Sequence, residues 1–409
     1  MRLRPVAAVA LAACTTAGLA GCGASKSVPG DRISGDLLTI YSGLPLHGPS
    51  SVTAHAVLRG EQLALAQARG RVGRYRVILR SLDDSTAQRG SWDPGQTSVN
   101  ARIAVQNRTT IGYLGDLNSG ASAIALPVLN RLGIPQISPA STAVGLTSVG
   151  PGASPGEPQK YYPTKIRTYA RVMPSDSIQA QVQVKLQRAA GCRRTFVVDD
   201  GEVDGEAMAT SFQLTARSAG LDVIGVQSYE QRLTDYRPFA AGVAQTKADC
   251  VLISAITDSG AVAVIRQLAM ALPQAKLFGV AGLAETSFTN PAQGGIPDWL
   301  DRRVLLTAAS PGARGFYSSY ARSFGDPEPD AIYGYEAMSL LLNAISRATD
   351  GGRTLARRSE VRAAIFDTRR RRSVLGSYSI EPSGDTTLRR VGVYRIADGR
   401  LEFFENMEG

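Results

Sequence analysis

Residues 110–142 read TIGYLGDLNSGASAIALPVLNRLGIPQISPAST, and their pattern decides the fold. Thr110–Leu114 is a short apolar run of strand type. Gly115 to Asn118 break it. Ser119–Leu132 follows with helical spacing, and Asn118 or Ser119 stands where a helix cap belongs. Pro135–Ser138 is the next strand. Strand, helix and strand in about thirty residues make one unit of a parallel sheet.

The same alternation runs outward in both directions. Upstream, Leu37–Tyr41 reads as a strand and Ser51–Arg69 as a helix. Tyr75–Leu82 is a strand that ends at Asp83-Asp84, and Thr97–Asn107 is helical. Downstream, residues 147–166 interrupt the pattern with Gly and Pro between Gly150 and Gly156, then Pro158 and Tyr161-Tyr162-Pro163. They read as an inserted surface loop. The alternation then restarts. Helices are expected at Ser177–Ala190, Ala207–Ala219, Tyr236–Thr246 and Gly260–Ala271. Strands are expected at Thr195–Asp199, Val223–Ser228, Cys250–Ser254 and Lys276–Val280. The tail adds helices Gly315–Phe324 and Tyr333–Thr349, and hairpin-like strands Gly376–Ile380 and Arg390–Ile396. Two such series give an α/β fold of two doubly wound parallel-sheet lobes, with helices on both faces of each sheet.

Composition narrows the function. The chain has 409 residues, 44% hydrophobic and 20% charged, which excludes a wholly disordered protein. Its two His (His47, His55) and four Cys do not make a zinc site. The net charge of +10 fits an anionic membrane or envelope surface. No phosphate-binding Gly-x-x-x-x-Gly-Lys loop occurs.

In doubly wound sheets, ligands bind beyond the C-terminal ends of the strands. That rule selects Ser42–Gly48, Gly115–Gly120 and Ser138–Thr142 in the first lobe. In the second it selects Asp199–Gly205, Ala255–Gly260 and Ala281–Glu285. Facing rims of this kind form a cleft that closes on a small molecule. Asn118-Ser119 opens a helix whose free N–H groups suit a carboxylate, and Ser138-Pro139-Ala140-Ser141-Thr142 adds hydroxyls beside it. The plain alternative is helix capping. Pro49-Ser50-Ser51 is a third helix start. Asp83-Asp84 and Asp199-Asp200 are paired carboxylates at strand ends. No His or Cys stands beside them, so turn capping is their expected role rather than acid–base or metal chemistry. Arg369–Arg372 is expected on a solvated face.

The first residues read as an export signal: basic Arg2 and Arg4, then an uncharged apolar run of about 16 residues, short of the roughly 20 of a membrane span. Leu19-Ala20-Gly21-Cys22 resembles the lipobox of bacterial lipoproteins. That resemblance implies that residues 1–21 are removed and that Cys22 carries lipid. An ordinary signal cut near Ala20 is the alternative. Residues 22–35 are expected to be a flexible tether. In an oxidising compartment Cys192 and Cys250, each placed just before a strand, are expected to form a disulfide if those strands are neighbours.

Several stretches together resemble the branched-chain amino acid (leucine/isoleucine/valine) binding proteins of ABC importers. They are Tyr41-Ser42-Gly43 with Gly60, Asp83-Asp84, Ile111-Gly112-Tyr113-Leu114-Gly115, Pro135 through Thr142, Arg171 through Asp176, and Ala331 through Ala337. The resemblance covers about Leu37 to Ile396. It implies the type I periplasmic binding-protein fold, with three crossovers near Arg171–Asp176, Ala309–Gly312 and Leu375–Ser377. The lobes would then be 36–173 with 312–374, and 174–311 with 375–409. It also implies that Ser119 and Thr142 hold a ligand carboxylate, that Ser141 adds backbone groups, and that Asp176 lies close by. The second lobe departs from the family pattern. Ala281 stands where the family has a Glu that pairs with the ligand's ammonium. Asp204 replaces a common Tyr, and another Tyr position falls near Thr257 or Asp258. Either Asp204 or Asp258 takes the ammonium, or the ligand is not a simple α-amino acid.

These readings describe an extracytoplasmic, membrane-anchored solute-binding lipoprotein of an ABC importer. It captures a small polar ligand, an amino acid or a related carboxylate or amide, and hands it to a membrane permease. It is expected to be a monomer that catalyses no reaction, uses no cofactor or metal and has no nucleic-acid partner. The alternative is a regulatory or interaction lipoprotein of the same fold with a degenerate cleft.

Overall fold

The computed structural model of the chain describes residues 30–409. Residues 1–21, read as an export signal, Cys22, read as a lipidation site, and residues 23–29 of the expected tether lie outside the described residues. Residues 31–35 are part of the first lobe, which corrects the tether boundary at 35. Ile33 is buried in the core and its N–H donates to Ala356 O at 3.0 Å. An apolar side chain at that position gains by leaving water.

The first lobe begins with β1 (Leu37–Leu44), α1 (Ser51–Gln67), β2 (Arg71–Val72) and β3 (Tyr75–Asp83). A small pair follows, β4 (Ser85–Thr86) and β5 (Ser91–Trp92), then α2 (Pro94–Gln106), β6 (Thr110–Gly115), α3 (Ser119–Asn130), β7 (Gln136–Ser138) and β8 (Tyr169–Arg171). The sheet order is β2-β3-β1-β6-β7-β8. It is parallel except for β2. The continuous apolar runs of β1 and β6 are buried along almost their whole length, as a sheet covered on both faces requires.

The second lobe holds α4 (Asp176–Ala189), β9 (Arg194–Asp199), α5 (Val203–Ser218), β10 (Asp222–Ser228), α6 (Arg237–Gln245) and β11 (Cys250–Ser254). It continues through α7 (Ala261–Ala271), β12 (Lys276–Gly279), the short α8 (Thr286–Thr289) and β13 (Val304–Ala308). The chain then returns to the first lobe with α9 (Arg314–Phe324), α10 (Ala331–Ala348), α11 (Arg358–Phe366) and the hairpin β14 (Arg371–Ser373) and β15 (Gly376–Tyr378). It ends in the second lobe with β16 (Arg390–Ala397) and β17 (Arg400–Glu408). That sheet has the order β10-β9-β11-β12-β13-β16-β17 and is parallel up to β13. Strands β16 and β17 are antiparallel additions.

Helices α1 and α10 pack so closely that glycine is required on both. A Cβ at Gly60 would sit 2.2 Å from Ala331 O, and one at Gly334 would sit 2.2 Å from Val57 O.

The tail differs from the sequence reading. Gly376–Tyr378 pairs with Arg371–Ser373, and Arg390–Ala397 pairs with Arg400–Glu408, so the two expected strands are not partners. The second hairpin turns at Asp398-Gly399, both at positive φ (50° and 67°), the backbone of a two-residue hairpin turn. The third crossing also lies later than Leu375–Ser377. Tyr378 and Ile380 pack in the first lobe's core, and Gly384 O accepts from Arg171 N–H at 3.0 Å. The chain enters the second sheet only at Arg390. Apolar burial of Tyr378 and Ile380 holds this segment back.

Cys192 and Cys250 form a disulfide, with Cα atoms 5.8 Å apart. Cys250 pairs with Thr195 in the neighbouring parallel strand, so the bridge joins two adjacent strand starts. It closes a loop between positions 58 apart. Replacing both cysteines by alanine is expected to lower stability by about 2–4 kcal/mol in urea unfolding. An unchanged midpoint would show that the bridge constrains nothing in the unfolded chain.

Candidate ligand-binding cleft

The C-terminal ends of the strands in both lobes face one another across a cleft. At its centre is a cavity of about 70 Å³, small beside the roughly 300–1,000 Å³ common for small-molecule pockets. Its wall draws on every loop selected from the sequence except Ser42–Gly48, and adds the crossing at Met173–Asp176.

Of the expected site residues, Thr142, Asp176 and Asp204 line the cavity. Ser119 and Ser141 do not. The Ser119 hydroxyl accepts from the N–H groups of Thr142 and Ala143, both at 3.1 Å, so it shapes the 140–143 loop from behind. The Ser141 hydroxyl donates to Asp116 O at 3.0 Å and lies 2.9 Å from the Ser122 hydroxyl. Both are fully buried, and their hydrogen-bonding capacity is used inside the lobe. Asp258 sits beside the cavity, where its Oδ1 accepts from Ser50 N–H at 2.8 Å.

The cleft also contains residues that the sequence reading did not single out. Glu285 lies four positions after Ala281 and is buried. It accepts from the Thr53 hydroxyl at 2.8 Å and the Ser50 hydroxyl at 3.4 Å, both in the first lobe. A 3-10 turn at Ala281–Leu283 carries the chain from one position to the other. So the second lobe does place a glutamate in the cleft, one turn later than expected. Gln179 is held by Ala281 N–H at 3.0 Å and the Thr307 hydroxyl at 2.8 Å. Asn118 and Asp330 complete the polar wall. Glu285 ends the Ala281–Glu285 rim selected from the sequence, and that position is the signal that could have found it. Asp330 precedes α10, far along the chain, and carries no local signal.

The helix start read as a carboxylate site, at Ser119, and the further helix start at Ser50 are both taken by carboxylates of the second lobe. The N–H of Ser119, at the start of α3, donates to Asp204 Oδ2 at 2.8 Å. The N–H of Ser50, which precedes α1, donates to Asp258. These bonds and those of Glu285 tie the lobes together through the places where a ligand carboxylate was expected.

The electrostatics follow from burial. Desolvation raises Asp176 to about 6, against the opposing pull of the Thr142 hydroxyl and the Arg171 charge. It raises Asp204 to about 7, reinforced by the charge of Asp176. Asp258 rises to about 6 and Glu285 to about 8, again through burial first. Asp330 rises to about 7 through burial and the nearby Glu328. Among the described residues, no Lys, Arg or His lines the cavity.

The other motifs have structural roles. Asp199 and Asp200 accept from the backbone N–H groups of Gly201, Glu202 and Ile256, as turn and loop anchors do. Asp83 accepts from Leu46 and Ser85 N–H. The exposed His47 ring lies 2.5 Å from its other oxygen, so a histidine does stand beside this pair. The Asp84 carboxylate is buried without a hydrogen-bond partner. The Arg369–Arg372 run is more than a solvated face. Arg371 donates to the buried Glu336 at 2.6 Å, and Arg369 bridges Phe366 O and Ile380 O. The inserted loop is packed, with Tyr161 and Tyr162 buried against Leu126 and Ala207. Pro151 O accepts from the Ser211 hydroxyl of α5, so the loop also spans the lobes. It walls a second cavity of about 450 Å³ at the cleft rim. None of the described helices is long and apolar enough to cross a membrane.

Comparison with known proteins agrees with this geometry. A family model described as periplasmic binding protein matches residues 43–400. A leucine binding protein from Thermotoga maritima superposes with TM-score 0.76 at 20% identity, over 91% of this chain and 99% of that one. A branched-chain amino acid transporter substrate binding protein from Streptococcus pneumoniae, solved with isoleucine, gives TM-score 0.74 at 16% identity, over 91% and 100%. A solute binding protein of an ABC transporter from Rhodopseudomonas palustris, solved with 3,4-dihydroxy benzoic acid, gives 0.72 at 17%, over 91% and 98%. At these identities the likeness is one of fold.

Proposed function

Since the chain belongs to the periplasmic binding protein family, we propose that it is an extracytoplasmic solute-binding lipoprotein of an ABC importer. It captures a small polar solute between its lobes and delivers it to a membrane permease. The observation that carries this reading is the cross-lobe set of bonds, Asp204 to Ser119, Asp258 to Ser50 and Glu285 to Thr53, around a polar cavity. Bonds of this kind form only when the lobes close, so they couple closure to whatever the cavity holds. Leu19-Ala20-Gly21-Cys22 supports a lipid anchor at Cys22, and the protein acts as a monomer. Asp83, Asp199 and Asp200 serve as turn and loop anchors, and the function needs no catalytic group.

A second reading has one specific observation behind it. Both helix starts that would hold a ligand carboxylate are filled by Asp204 and Asp258, as a regulatory lipoprotein with a degenerate cleft would allow.

A thermal-shift screen of amino acids, amides, small carboxylates, short peptides and amines separates the two. Solute at about 100 times its dissociation constant adds roughly 2.7 kcal/mol of stability. A shift that disappears on Thr142→Ala or Glu285→Gln is the expected result. No shift with any class would transfer the weight to the regulatory reading.

A further inference from the structure

Resting on the solute-binding reading, we infer that the cleft takes a compact organic cation rich in N–H donors and lacking a carboxylate, such as a short diamine or a guanidinium-type solute. Four carboxylates, Asp176, Asp204, Glu285 and Asp330, line the cavity, no basic side chain lines it with them, and only the Arg171 charge behind Asp176 opposes them. Two further observations point to a donor. Asp176 Oδ2 and Asn118 Oδ1 both belong to side chains more than nine-tenths buried, and neither has a hydrogen-bond partner. Both residues are on the cavity wall. Buried acceptors of this kind are costly until a donor meets them. Asp330 likewise accepts no side-chain hydrogen bond from the described residues, and only burial and Glu328 act on it.

What could enter is limited by charge and shape. A carboxylate would meet like charges on the wall, and the two helix starts that would receive it are already bonded to Asp204 and Asp258. A single metal ion is a poor fit. Among the described residues, no three of these carboxylates come close enough to share one. Met173 and Met208 supply an adaptable apolar wall, suited to the short methylene spacer between two nitrogens. The neighbours solved with isoleucine and 3,4-dihydroxy benzoic acid hold ligands that carry a carboxyl group, which the solute inferred here lacks.

Isothermal titration of the purified protein tests the assignment. The probes are 1,3-diaminopropane, 1,4-diaminobutane, methylguanidine, tetramethylammonium, leucine and benzoate. A diamine or methylguanidine is expected to bind with a dissociation constant of about 1 mM or tighter. Binding should weaken about tenfold or more in Asp330→Asn and in Asp176→Asn, each of which removes a charged acceptor. The thermal midpoints of both unliganded variants should stay level or rise, because burial penalises the charged form of each carboxylate and the isostere is neutral. Tetramethylammonium, a cation without N–H groups, should not bind. Leucine or benzoate binding in place of the amines overturns the inference and leaves the solute-binding reading standing. Tetramethylammonium binding as tightly as the amines, or unchanged amine affinity in both variants, overturns it as well. Heat from none of the probes, with no response in the wider thermal-shift screen, removes both.

Discussion

Replacing Arg171 with methionine is expected to destabilise the protein by about 3–5 kcal/mol. Arg171 lies in β8, a three-residue strand at the edge of the first sheet, and its side chain is 1% exposed. Its guanidinium donates to Asp385 at 2.7 Å, to Ser141 O at 3.2 Å, to Ala143 O at 2.9 Å and to the Thr147 hydroxyl at 2.8 Å. One side chain therefore joins the cavity-forming loop 141–147 to the returning segment 379–388. Burial pushes Asp385 upward, yet the Arg171 charge and the surrounding donors outweigh it and hold the carboxyl below its ordinary value. Methionine fills much of the volume but leaves Asp385 and two carbonyls without their donor. An uncompensated buried charge is the largest part of the loss. The double variant Arg171→Met with Asp385→Asn should recover part of it, a positive coupling between contacting residues. Urea unfolding of the single and double variants measures both numbers. A loss below about 1 kcal/mol for Arg171→Met would place the protein's stability elsewhere.

Raising the pH from 5 to 8.5 is expected to open the unliganded cleft. In the closed arrangement Asp258 titrates at about 6, Asp204 at about 7 and Glu285 at about 8, each displaced chiefly by burial. Opening returns them to water, where carboxyl groups titrate near 4. The closed form therefore binds more protons than the open form between roughly pH 4 and pH 8. For a raised carboxylate the sign is fixed. Closure is unpenalised below the open-form value, weakens as pH rises from that value to the closed-form value, and levels off above it. Each unit of displacement is a factor of about ten, so Glu285 alone reduces the closure constant roughly a hundredfold or more across this range. The groups around it act in the same direction or are already paired. Asp176, Asp330 and Glu328 are raised too, Glu202 is bonded to Arg89, and Arg171 is engaged with Asp385. Small-angle X-ray scattering should show the radius of gyration increase over this interval, and Glu285→Gln should blunt the change. A radius independent of pH would mean that these carboxylates do not control the lobes.

The elements that decided the fold were legible because burial on both faces writes itself as unbroken apolar runs. β1, β6, β9 and β11 are of that type. The missed strands obey other rules. β8 carries Arg171, whose burial depends on a partner 214 positions away. β17 is an edge strand, mostly exposed, and mixes Glu with Phe403 and Phe404, so no alternation betrays it. β13 follows Arg302-Arg303 and is only five residues long.

The cleft was legible at the level of loops, since strand ends must face it once the sheets are parallel. Which side chains point inward was not. Ser119 and Ser141 satisfy their own lobe, while Glu285 reaches the cavity because a 3-10 turn carries the chain past Ala281. Asp330 joins the wall only through the return of α10 to the first lobe.

The central claim is that the lobes close on a cation, whose charge replaces the protons that hold the carboxylates neutral. The direct measurement is small-angle scattering at pH 8.5, with and without the amine or guanidinium probe that binds tightest. The account predicts an expanded molecule alone and a contracted one on addition, with about tenfold more probe needed for the same contraction in Asp330→Asn. Scattering curves that superpose with and without every probe would contradict it.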